Sequence, residues 1–368
     1  MADDIKFMTL ALECAARGRG EVEPNPMVGA VLVRDGVELA RGWHKKFGGP
    51  HAEVEAITAA RAAGVDPAGA TLYVTLEPCC HEGKTPPCTN ALIEAKLARV
   101  VAAMVDPDPK VAGQGIAALK KAGIATDTGV MQEQARQLLA AYIKHRTTGR
   151  PWVICKWAQT TDGYMTLPPG GGRWISSRAS RDRVHQIRSW CDGVVIGIGT
   201  LLADNPHLGN RSGKGRQPAR IVLDSTLRTP IECQLADTTD RAKLIVVTAP
   251  GAAVAKPLVA QRLRSRGAEI IELPAAANGI DLGALLDELG RRGWLSVLIE
   301  GGSAVLTSVL QQRLADEIIV FVGPQKLTGA PASLPQLDIA KLRSELPLTC
   351  LDEIAVDVDR MLRFQFKH

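Results

Sequence analysis

The chain has 368 residues, of which 46% are hydrophobic and 23% are charged. That length exceeds what one hydrophobic core usually holds, so it predicts two domains, and the composition is typical of a soluble globular protein. The net charge of +5 comes from 44 basic and 39 acidic residues, without a polybasic tail. Such a mild excess suits anionic small molecules and is weak evidence for nucleic acid, so we expect no nucleic-acid partner.

The sequence also predicts where the protein resides. No apolar run approaches the roughly 20 residues that a membrane helix needs, and Met1-Ala2-Asp3-Asp4 is acidic where a signal peptide would be basic. Three of the eight cysteines cluster near a histidine, which favours a reducing compartment over a disulfide framework. We therefore expect a cytoplasmic protein with no membrane partner. The other cysteines are predicted to pack in the interior: Cys14, Cys155, Cys191, Cys233 and Cys350.

In the first part of the chain, helical and strand periodicities alternate. The predicted elements are a helix over 4–17, strands over 27–33 and 37–42, a helix over 52–63, a strand over 72–76, a helix over 88–96, a strand over 100–105, a helix over 116–122, a strand over 124–126 and a helix over 131–145. Alternation of this kind predicts a layered α/β fold.

Residues 147–151 break the periodic pattern, so we predict one domain over 1–148 and a second over 151–368. The second domain is also predicted to be α/β. Its predicted elements are strands over 152–157, 193–196, 219–223, 244–248, 297–299 and 317–322, last strands within 354–366, and helices over 178–188, 282–289 and 304–314. The turns after parallel strands gather at the carboxyl edge of the sheet, so this domain is expected to carry its own ligand site there.

Two short stretches have the residue types of a catalytic zinc site. Zinc sites that do chemistry usually offer three protein ligands and leave the fourth position to a water, and His51, Cys79 and Cys88 supply such a set. Glu53 lies two residues beyond the histidine, where a helix can begin. Its carboxylate is therefore predicted to stand beside the metal water as a proton shuttle.

The spacing of the cysteines differs from the general signature of zinc deaminases, which is His-x-Glu followed by Pro-Cys-x-x-Cys. Here eight residues separate the two cysteines. A structural site with four ligands is the alternative to a catalytic one, and Cys80 or His81 would then supply the fourth ligand.

Four motifs in the first half of the chain surround this pattern: Pro24-Asn25-Pro26-x-Val28-Gly29-Ala30, Gly42-x-His44, His51-Ala52-Glu53 and Pro78-Cys79-Cys80-His81-x-Gly83-Lys84-Thr85-Pro86-Pro87-Cys88. Together they resemble the deaminase half of the bifunctional RibD family of riboflavin biosynthesis enzymes. The resemblance implies a cytidine-deaminase-like three-layer α/β/α domain with a mixed sheet, which binds one zinc and deaminates a phosphoribosylaminopyrimidine. The residues implied to contact that substrate are Asn25, His44, His81 and Lys84.

Glycines also follow predicted strands in the second half. Gly197-Ile198-Gly199 lacks the third glycine of a dinucleotide fingerprint, because Leu202 stands in that place. Glu300-Gly301-Gly302-Ser303 lies between a predicted strand and a helix, where glycines let backbone amides approach a phosphate, although it could also be a tight turn.

Further motifs follow one another in the second half: Asp162-Gly163, Trp174-Ile175-Ser176, Thr200-x-x-x-Asp204-Asn205-Pro206-x-Leu208-x-x-Arg211, Asp224-Ser225 and Glu300-Gly301-Gly302. Their order is similar to that in the reductase half of the same family, which has a dihydrofolate-reductase-like α/β fold. The sequence departs from that family at Thr160-Thr161 and in the glycine run before Trp174. The resemblance implies reduction of a ribose to a ribityl chain with NADPH.

The same resemblance implies two sets of ligand-binding residues. NADPH would be held by Ala158, Trp174, Thr200, Asp204, Ser225 and a loop formed by Gly302, Ser303, Ala304, Val305, Leu306, Thr307 and Ser308. The substrate would be held by Lys156, Gly172, Arg188, Leu208, Arg211 and Glu300. Arg188 and Arg211 suit bidentate binding of a phosphate, and Lys156 and Glu300 are candidates for proton handling.

Two other functions are compatible with parts of the sequence. A nucleic-acid base deaminase with an accessory nucleotide-binding domain would need an aromatic-lined groove, and aromatic residues make up only 4% of the chain. A non-catalytic, zinc-stabilised nucleotide-binding module would keep its function when Glu53 is changed to Gln. We expect the bifunctional enzyme, as a homo-oligomer (dimer or tetramer).

Overall fold

The computed structural model describes residues 2–83, 85–109, 111–168, 170–213, 215–277, 279–328, 331 and 333–367. The chain divides into two compact units, Met1–Gly149 and Arg150–His368, here called the N-terminal and C-terminal units. Among the helices of the described residues, none combines the length and the apolar character needed to cross a membrane.

The N-terminal unit alternates helices and strands, as the sequence predicts. Its elements are α1 (Ala2–Ala16), β1 (Gly29–Arg34), β2 (Val37–Trp43), α2 (Ala52–Ala62), β3 (Thr71–Val74), α3 (Cys88–Glu94), β4 (Arg99–Ala102), α4 (Gln114–Lys121), β5 (Ala125–Thr128), α5 (Gln132–Leu138) and α6 (Ala140–Thr148). The single helix predicted over 131–145 is wrong, because the buried Leu139 has φ −96° and ψ 11° and separates α5 from α6.

The sheet of this unit runs in the order β2-β1-β3-β4-β5. Strand β1 is antiparallel to both of its neighbours, whereas β3, β4 and β5 are parallel, so the sheet is mixed. Leu72 packs with α2, α3 and α4 on one face. Tyr73 points to the opposite face, where its ring lies 5.4 Å from that of Phe7 in α1. Helices on both faces confirm the predicted three-layer arrangement.

The C-terminal unit is built around a larger sheet. Its elements are β6 (Trp152–Gln159), α7 (Arg178–Trp190), β7 (Gly193–Gly197), α8 (Ile198–Asp204), β8 (Ala219–Leu223), a 3-10 helix (Ala236–Thr238), β9 (Leu244–Thr248), α9 (Ala252–Ala255), α10 (Pro257–Ser265), β10 (Ala268–Glu272), β11 (Ala275–Ala276), β12 (Gly279–Ile280), α11 (Leu282–Arg291), β13 (Ser296–Glu300), α12 (Ser303–Gln311), β14 (Glu317–Val322), α13 (Ile339–Glu345), β15 (Leu348–Val356) and β16 (Asp359–Phe366).

The main sheet of this unit runs in the order β10-β9-β8-β7-β13-β6-β14-β16-β15, and β11 pairs with β12 separately. The strands from β10 to β14 in that order are parallel, while β16 is antiparallel to β14 and β15. Helices α7, α8 and α10 pack on one face, and α11, α12 and α13 pack on the other. The carboxyl ends of β8, β7, β13 and β6 therefore lie side by side at one edge.

Two detailed predictions for this unit are wrong. Helix α12 begins at Ser303, so residues 303–308 are helical and only Gly302 belongs to the predicted cofactor loop. Cys350 is exposed rather than packed, because it lies on β15 at the edge of the sheet. Interior packing is confirmed for the other four cysteines, Cys14, Cys155, Cys191 and Cys233.

Candidate functional site

The three predicted zinc ligands meet in the N-terminal unit. His51 precedes α2, Cys79 follows β3, and Cys88 is the first residue of α3. Nδ1 of His51 lies 3.5 Å from Sγ of Cys79 and 3.3 Å from Sγ of Cys88. All three ligand atoms lie within 4.8 Å of one another. This donor set and spacing fit a zinc ion with an open fourth position.

The pKa values of the two cysteine thiols are shifted in opposite directions. Hydrogen bonds from the thiol of Cys88 and from His51 lower the pKa of Cys79 to about 4, although burial opposes them. The backbone N–H of Cys88 also donates to Sγ of Cys79, at 3.4 Å. The same contact and burial raise the pKa of Cys88. A metal ion that binds both sulfurs would displace the proton of Cys88, as is usual for thiolate sites.

Glu53 lies in the first turn of α2 and is 3% exposed. Its Oε2 is buried and has no hydrogen-bond partner among the described residues. Burial raises the pKa of Glu53 to about 7, and the neighbouring sulfur of Cys79 adds to the effect. A carboxylate with a free oxygen and a pKa near neutrality fits a group that accepts and returns a proton beside a metal-bound water.

Asn25 and His44 form one wall of the site. Nδ1 of His44 lies 2.9 Å from the carbonyl oxygen of Pro50, and Nε2 lies 3.1 Å from Nδ2 of Asn25. A neutral ring with its hydrogen on Nδ1 satisfies both contacts. Burial lowers the pKa of His44, which favours the neutral form. The two side chains are thereby held beside His51, whose ring lies 5.2 Å from that of His44.

These residues line a cavity of about 260 Å³. The predicted site residues that line it are Asn25, His44, His51, Glu53, Cys79 and His81. Cys88 completes the ligand set from a buried position, and Lys84 lies outside the described residues. Neither Cys80 nor His81 joins the metal-ligand group found among the described residues, which argues against the four-ligand alternative.

Sequence reasoning missed several residues of this cavity. Asp106 and Asp108 follow β4, and Tyr142 and Arg146 lie on α6. The hydroxyl of Tyr142 donates to Asp106 at 3.2 Å, and Nε of Arg146 lies 3.8 Å from Oδ2 of Asp108. The sequence could have indicated Asp106 and Asp108, because Asp106-Pro107-Asp108 follows a strand parallel to the one that leads to Cys79. Nothing in the sequence of α6 marked its two residues.

Glu77 connects the metal half-site to this second loop. It is 3% exposed, and its carboxylate accepts hydrogen bonds from the backbone N–H groups of Asp106 at 3.1 Å, Gly113 at 2.8 Å and Ile116 at 3.1 Å. One buried side chain therefore fixes the segment between β4 and α4 next to Cys79.

In the C-terminal unit, three predicted substrate residues form a buried charged cluster. Nε and Nη2 of Arg188 donate to the two carboxylate oxygens of Glu300, at 2.6 and 2.8 Å. Nζ of Lys156 lies 3.8 Å from Oε2 of Glu300. Arg188 was predicted as a phosphate-binding fork, but here the fork is engaged by Glu300. Its remaining Nη1 donates to the carbonyl oxygen of Gly209 at 3.3 Å.

The other predicted substrate residues are less enclosed, with one exception. Arg211 and Gly172 are exposed, whereas the side chain of Leu208 is buried in the core with φ at +56°. Only the backbone of Leu208 can therefore contact a ligand.

Trp174, a predicted cofactor residue, is 52% exposed, and the guanidinium groups of Arg173 and Arg181 each lie 4.9 Å from its ring centroid.

Two predicted cofactor residues, Gly302 and Thr200, lie next to each other at the amino end of α12. Gly301 and Gly302 follow β13 with φ at +75° and +74°, and a Cβ on Gly302 would lie 3.0 Å from Oγ1 of Thr200. The N-cap residue of α12 is Gly302, and no side-chain cap is found there among the described residues. Free amides at a helix start, approached through glycines, fit a phosphate group of a nucleotide cofactor.

The remaining predicted cofactor residues lie on several elements of the C-terminal unit. Ser225 lies two residues after the end of β8, Ala158 lies near the end of β6, and Asp204 ends α8. Leu306 is fully buried in the core, so its side chain is directed away from any ligand.

Comparisons with known proteins agree with this geometry. Residues 1–104 match the family model of the cytidine and deoxycytidylate deaminase zinc-binding region, and residues 151–358 match that of the RibD C-terminal domain. The chain is 39% identical over 344 residues to the riboflavin biosynthesis protein RibD of Aquifex aeolicus, which covers 93% of each chain. The chain belongs to the RibD family. Its identity to the Escherichia coli RibD is 36% over 376 residues, covering 95% of this chain and 98% of the relative.

Solved RibD structures have the same fold over the whole chain. Form 1 of Acinetobacter baumannii RibD superposes with a TM-score of 0.85 at 34% identity, covering 100% of this chain and 99% of the other. A Thermotoga maritima diaminohydroxyphosphoribosylaminopyrimidine deaminase / 5-amino-6-(5-phosphoribosylamino)uracil reductase superposes with a TM-score of 0.83 at 34% identity and the same coverage. These RibD structures confirm the predicted fold class, a cytidine-deaminase-like unit followed by a dihydrofolate-reductase-like unit.

Membership of the RibD family also identifies the type of enzyme. The protein is a bifunctional riboflavin biosynthesis enzyme that contains a zinc-dependent deaminase and an NADPH-dependent reductase.

Proposed function

We propose that residues 1–148 deaminate 2,5-diamino-6-(5-phosphoribosylamino)pyrimidin-4-one and that residues 151–368 reduce the resulting 5-amino-6-(5-phosphoribosylamino)uracil. The observation that carries the first step is the buried Glu53 carboxylate beside the His51, Cys79 and Cys88 group in one cavity. The substrates are those that the Thermotoga maritima relative, 34% identical, is described as using.

In the deaminase step, His51, Cys79 and Cys88 would hold zinc. The bound metal would supply a water whose pKa falls to about 7 and polarise it for attack on the ring carbon that bears the amine. Glu53 takes the proton of the attacking water at its free oxygen. It passes this proton to the ring nitrogen, and then takes the proton of the hydroxyl group now bonded to the ring carbon and delivers it to the amine, which leaves as ammonia.

Four side chains are proposed to hold the substrate in the deaminase cavity. Asn25 and His44 are fixed to each other at 3.1 Å on the cavity wall, where they can contact the pyrimidine. His81 is exposed at the cavity and Lys84 belongs to the same insert, so both are proposed to bind the anionic phosphoribosyl group.

In the reductase step, the glycine turn before α12 is proposed to hold a phosphate of NADPH, together with Thr200, Ser225 and the other predicted cofactor residues. The bound cofactor would supply the hydride that reduces C1′ of the ribose. The protein mainly positions donor and acceptor for that transfer.

Opening of the sugar ring also requires a proton at the ring oxygen, and Lys156 and Glu300 are proposed to handle it. Burial lowers the pKa of Lys156, and Arg188 adds to the lowering while Glu300 opposes it. A lysine whose pKa is lowered is a stronger proton donor than a solvated one.

The proposal also includes the partner, the cellular location and the oligomeric state of the enzyme. The proposed partner is a small phosphoribosylaminopyrimidine, which would occupy the cavity of about 260 Å³, and no nucleic acid. The described cysteines are unpaired, which fits the reducing cytoplasm. A homo-oligomer, dimer or tetramer, is proposed for solution, and a light-scattering mass equal to the 39.3 kDa of one chain would contradict it.

The variant Glu53→Gln tests the deaminase mechanism. It should keep its zinc but release ammonia at least about 10²-fold more slowly, because it cannot transfer the proton. NADPH oxidation with the already deaminated substrate should not change. Glu55→Gln is the matched control, since Glu55 lies on the same helix and pairs with Lys45 at the surface. Near-normal ammonia release by Glu53→Gln would overturn the mechanism.

A further inference from the structure

A histidine outside the predicted site residues contacts one of them. His185 lies on α7 and is 8% exposed. Its Nε2 lies 3.2 Å from Nε of Arg211. Its Nδ1 lies 3.2 Å from the carbonyl oxygen of Gly209 and 3.3 Å from the backbone nitrogen of Arg211. Both ring nitrogens of His185 therefore contact the segment that carries Arg211.

The hydrogen-bond partners determine the tautomer of His185. A hydrogen on Nδ1 lets the ring donate to Gly209 and leaves Nε2 to accept from the guanidinium of Arg211. In the other tautomer, Nδ1 would accept from the backbone N–H of Arg211, but the carbonyl oxygen of Gly209 would lose its donor. The hydrogen on Nε2 would then point at the Nε–H of Arg211. The first tautomer satisfies more contacts, so His185 is a neutral acceptor for Arg211.

This contact determines which donors of Arg211 remain available. Nε is engaged by His185, which leaves the two terminal nitrogens at an exposed position. No carboxylate forms an ion pair with Arg211 among the described residues, in contrast to Arg188, which is engaged by Glu300. A guanidinium fixed through Nε presents a planar fork of N–H groups, which matches the oxygens of a phosphate.

We propose that His185 is a positioning residue, which holds Arg211 so that its guanidinium binds the phosphate of the reductase substrate. The inference rests on the substrate proposed above. His185 itself does not touch the reacting atoms. Its contribution is to order a long, exposed side chain before the substrate arrives, which removes an entropy cost that binding would otherwise carry.

The charges around His185 support a neutral ring. Burial lowers its pKa, and the positive charges of Arg188 and Arg211 lower it further, while Glu300 raises it. These are the charged groups that face the ring from α7, from the segment of Arg211 and from the end of β13. A protonated ring would have no lone pair for Arg211.

The test uses the full-length enzyme and steady-state NADPH oxidation with two compounds: 5-amino-6-(5-phosphoribosylamino)uracil and the same compound without its phosphate. His185→Phe should raise KM for the phosphorylated compound by about tenfold or more, because a hydrogen bond to a charged group is lost. Its kcat and its KM for the compound without phosphate should not change, since the phosphate is remote from C1′. His185→Gln should restore KM to within about threefold, because its amide oxygen can accept from Arg211.

A double-mutant cycle separates positioning from a general structural role. In an Arg211→Gln background, His185→Phe should cause no further loss, because it acts through Arg211. Losses that multiply, or that affect both compounds equally, would overturn the inference. Should His185→Phe not fold, as judged by NADPH affinity, His185→Asn applies the same test, because its side chain can replace Nδ1 but is too short to reach the guanidinium of Arg211. Gln186→Ala, exposed on the same helix, is the control.

The proposed function has a separate outcome in the same experiment. No NADPH oxidation by the unchanged enzyme with either compound would overturn the substrate assignment itself. Normal oxidation by the unchanged enzyme together with an unchanged KM in His185→Phe would overturn the role of His185 alone.

Discussion

Both carboxylate oxygens of Glu300 accept hydrogen bonds from Arg188, at 2.6 and 2.8 Å, in a site where the acid is 8% and the arginine 13% exposed. Burial alone would raise the pKa of Glu300. The charges of Arg188 and Lys156 outweigh burial and lower the pKa to about 2. The reductase site therefore keeps a charged acid in contact with Arg188 over the whole physiological pH range.

Removal of the charge at Glu300 should destabilise the C-terminal unit. In Glu300→Gln, Arg188 and Lys156 stay buried without an acid, and the free energy of unfolding should fall by roughly 3–5 kcal/mol. Denaturant unfolding followed by circular dichroism measures this. Glu353→Gln is the control, because its pair with Arg360 is exposed and should contribute at most about 1 kcal/mol. Equal, small losses in both variants would contradict the importance of the buried cluster.

The same cluster predicts the direction of a pH effect. A carboxylate whose pKa is lowered in the folded state stabilises the fold above its ordinary pKa of 4.5, and this stability is lost as the pH falls toward about 2. Unfolding free energies of the unchanged enzyme should therefore drop in that acid window. The drop should be smaller in Glu300→Gln, and an identical slope in both proteins would contradict the assignment.

Metal content distinguishes the three-ligand site from its four-ligand alternative. Cys88→Ser should lose zinc, because Sγ of Cys88 lies 3.3 Å from the His51 ligand atom. Cys80→Ser should keep one zinc per chain, since Cys80 is outside the ligand group and its Sγ instead lies 4.0 Å from Gln114. Elemental analysis of both purified variants is the measurement. Zinc lost from Cys80→Ser and kept by Cys88→Ser would reverse the assignment.

The glycine turn before α12 predicts a selective loss of cofactor affinity. In Gly302→Ala the added Cβ would lie 3.0 Å from Thr200, within the space assigned to a phosphate, so the Kd for NADPH should rise by about tenfold or more. Gly293→Ala is a matched control, because Gly293 also has a positive φ, +77°, but a Cβ there would meet nothing within 4 Å. Quenching of tryptophan fluorescence by NADPH gives both values. An equal rise of Kd in both variants would show that backbone strain, and not the approach of a phosphate to the glycine turn, is responsible.

Glu77 offers a test of how the deaminase cavity is assembled. The carboxylate of Glu77 accepts hydrogen bonds from three backbone N–H groups, and in Glu77→Gln the amide NH₂ would face some of these donors. The free energy of unfolding should therefore fall by roughly 1–3 kcal/mol. Glu82→Gln, at an exposed position in the neighbouring insert, should be neutral. A neutral Glu77→Gln would mean that the loop after β4 is held by other contacts.

The sequence was informative where chemistry depends on residue type and spacing. His51, Cys79, Cys88 and Glu53 were predictable because few other residues bind zinc or shuttle protons, and because three of them, His51, Glu53 and Cys88, lie at the start of a helix. The strands that lead to them are short and apolar, so their positions were also predictable.

The remainder of the site depends on contacts between distant parts of the chain. Tyr142 and Arg146 line the deaminase cavity from α6, and the helical pattern over 131–145 did not show that α6 is separated from α5 at Leu139. Arg188 and Glu300 are 112 positions apart in the sequence, and they meet only in the folded chain. No local pattern records such a contact.

The central claim is that one chain carries out both steps in order. Ammonia release and NADPH oxidation should be followed separately while the unchanged, zinc-loaded enzyme acts on 2,5-diamino-6-(5-phosphoribosylamino)pyrimidin-4-one. Ammonia should appear first, one molecule per substrate, and should appear equally without NADPH; an equal amount of NADPH should then be oxidised. Oxidation of NADPH without ammonia release, or no ammonia release at all, would contradict the account.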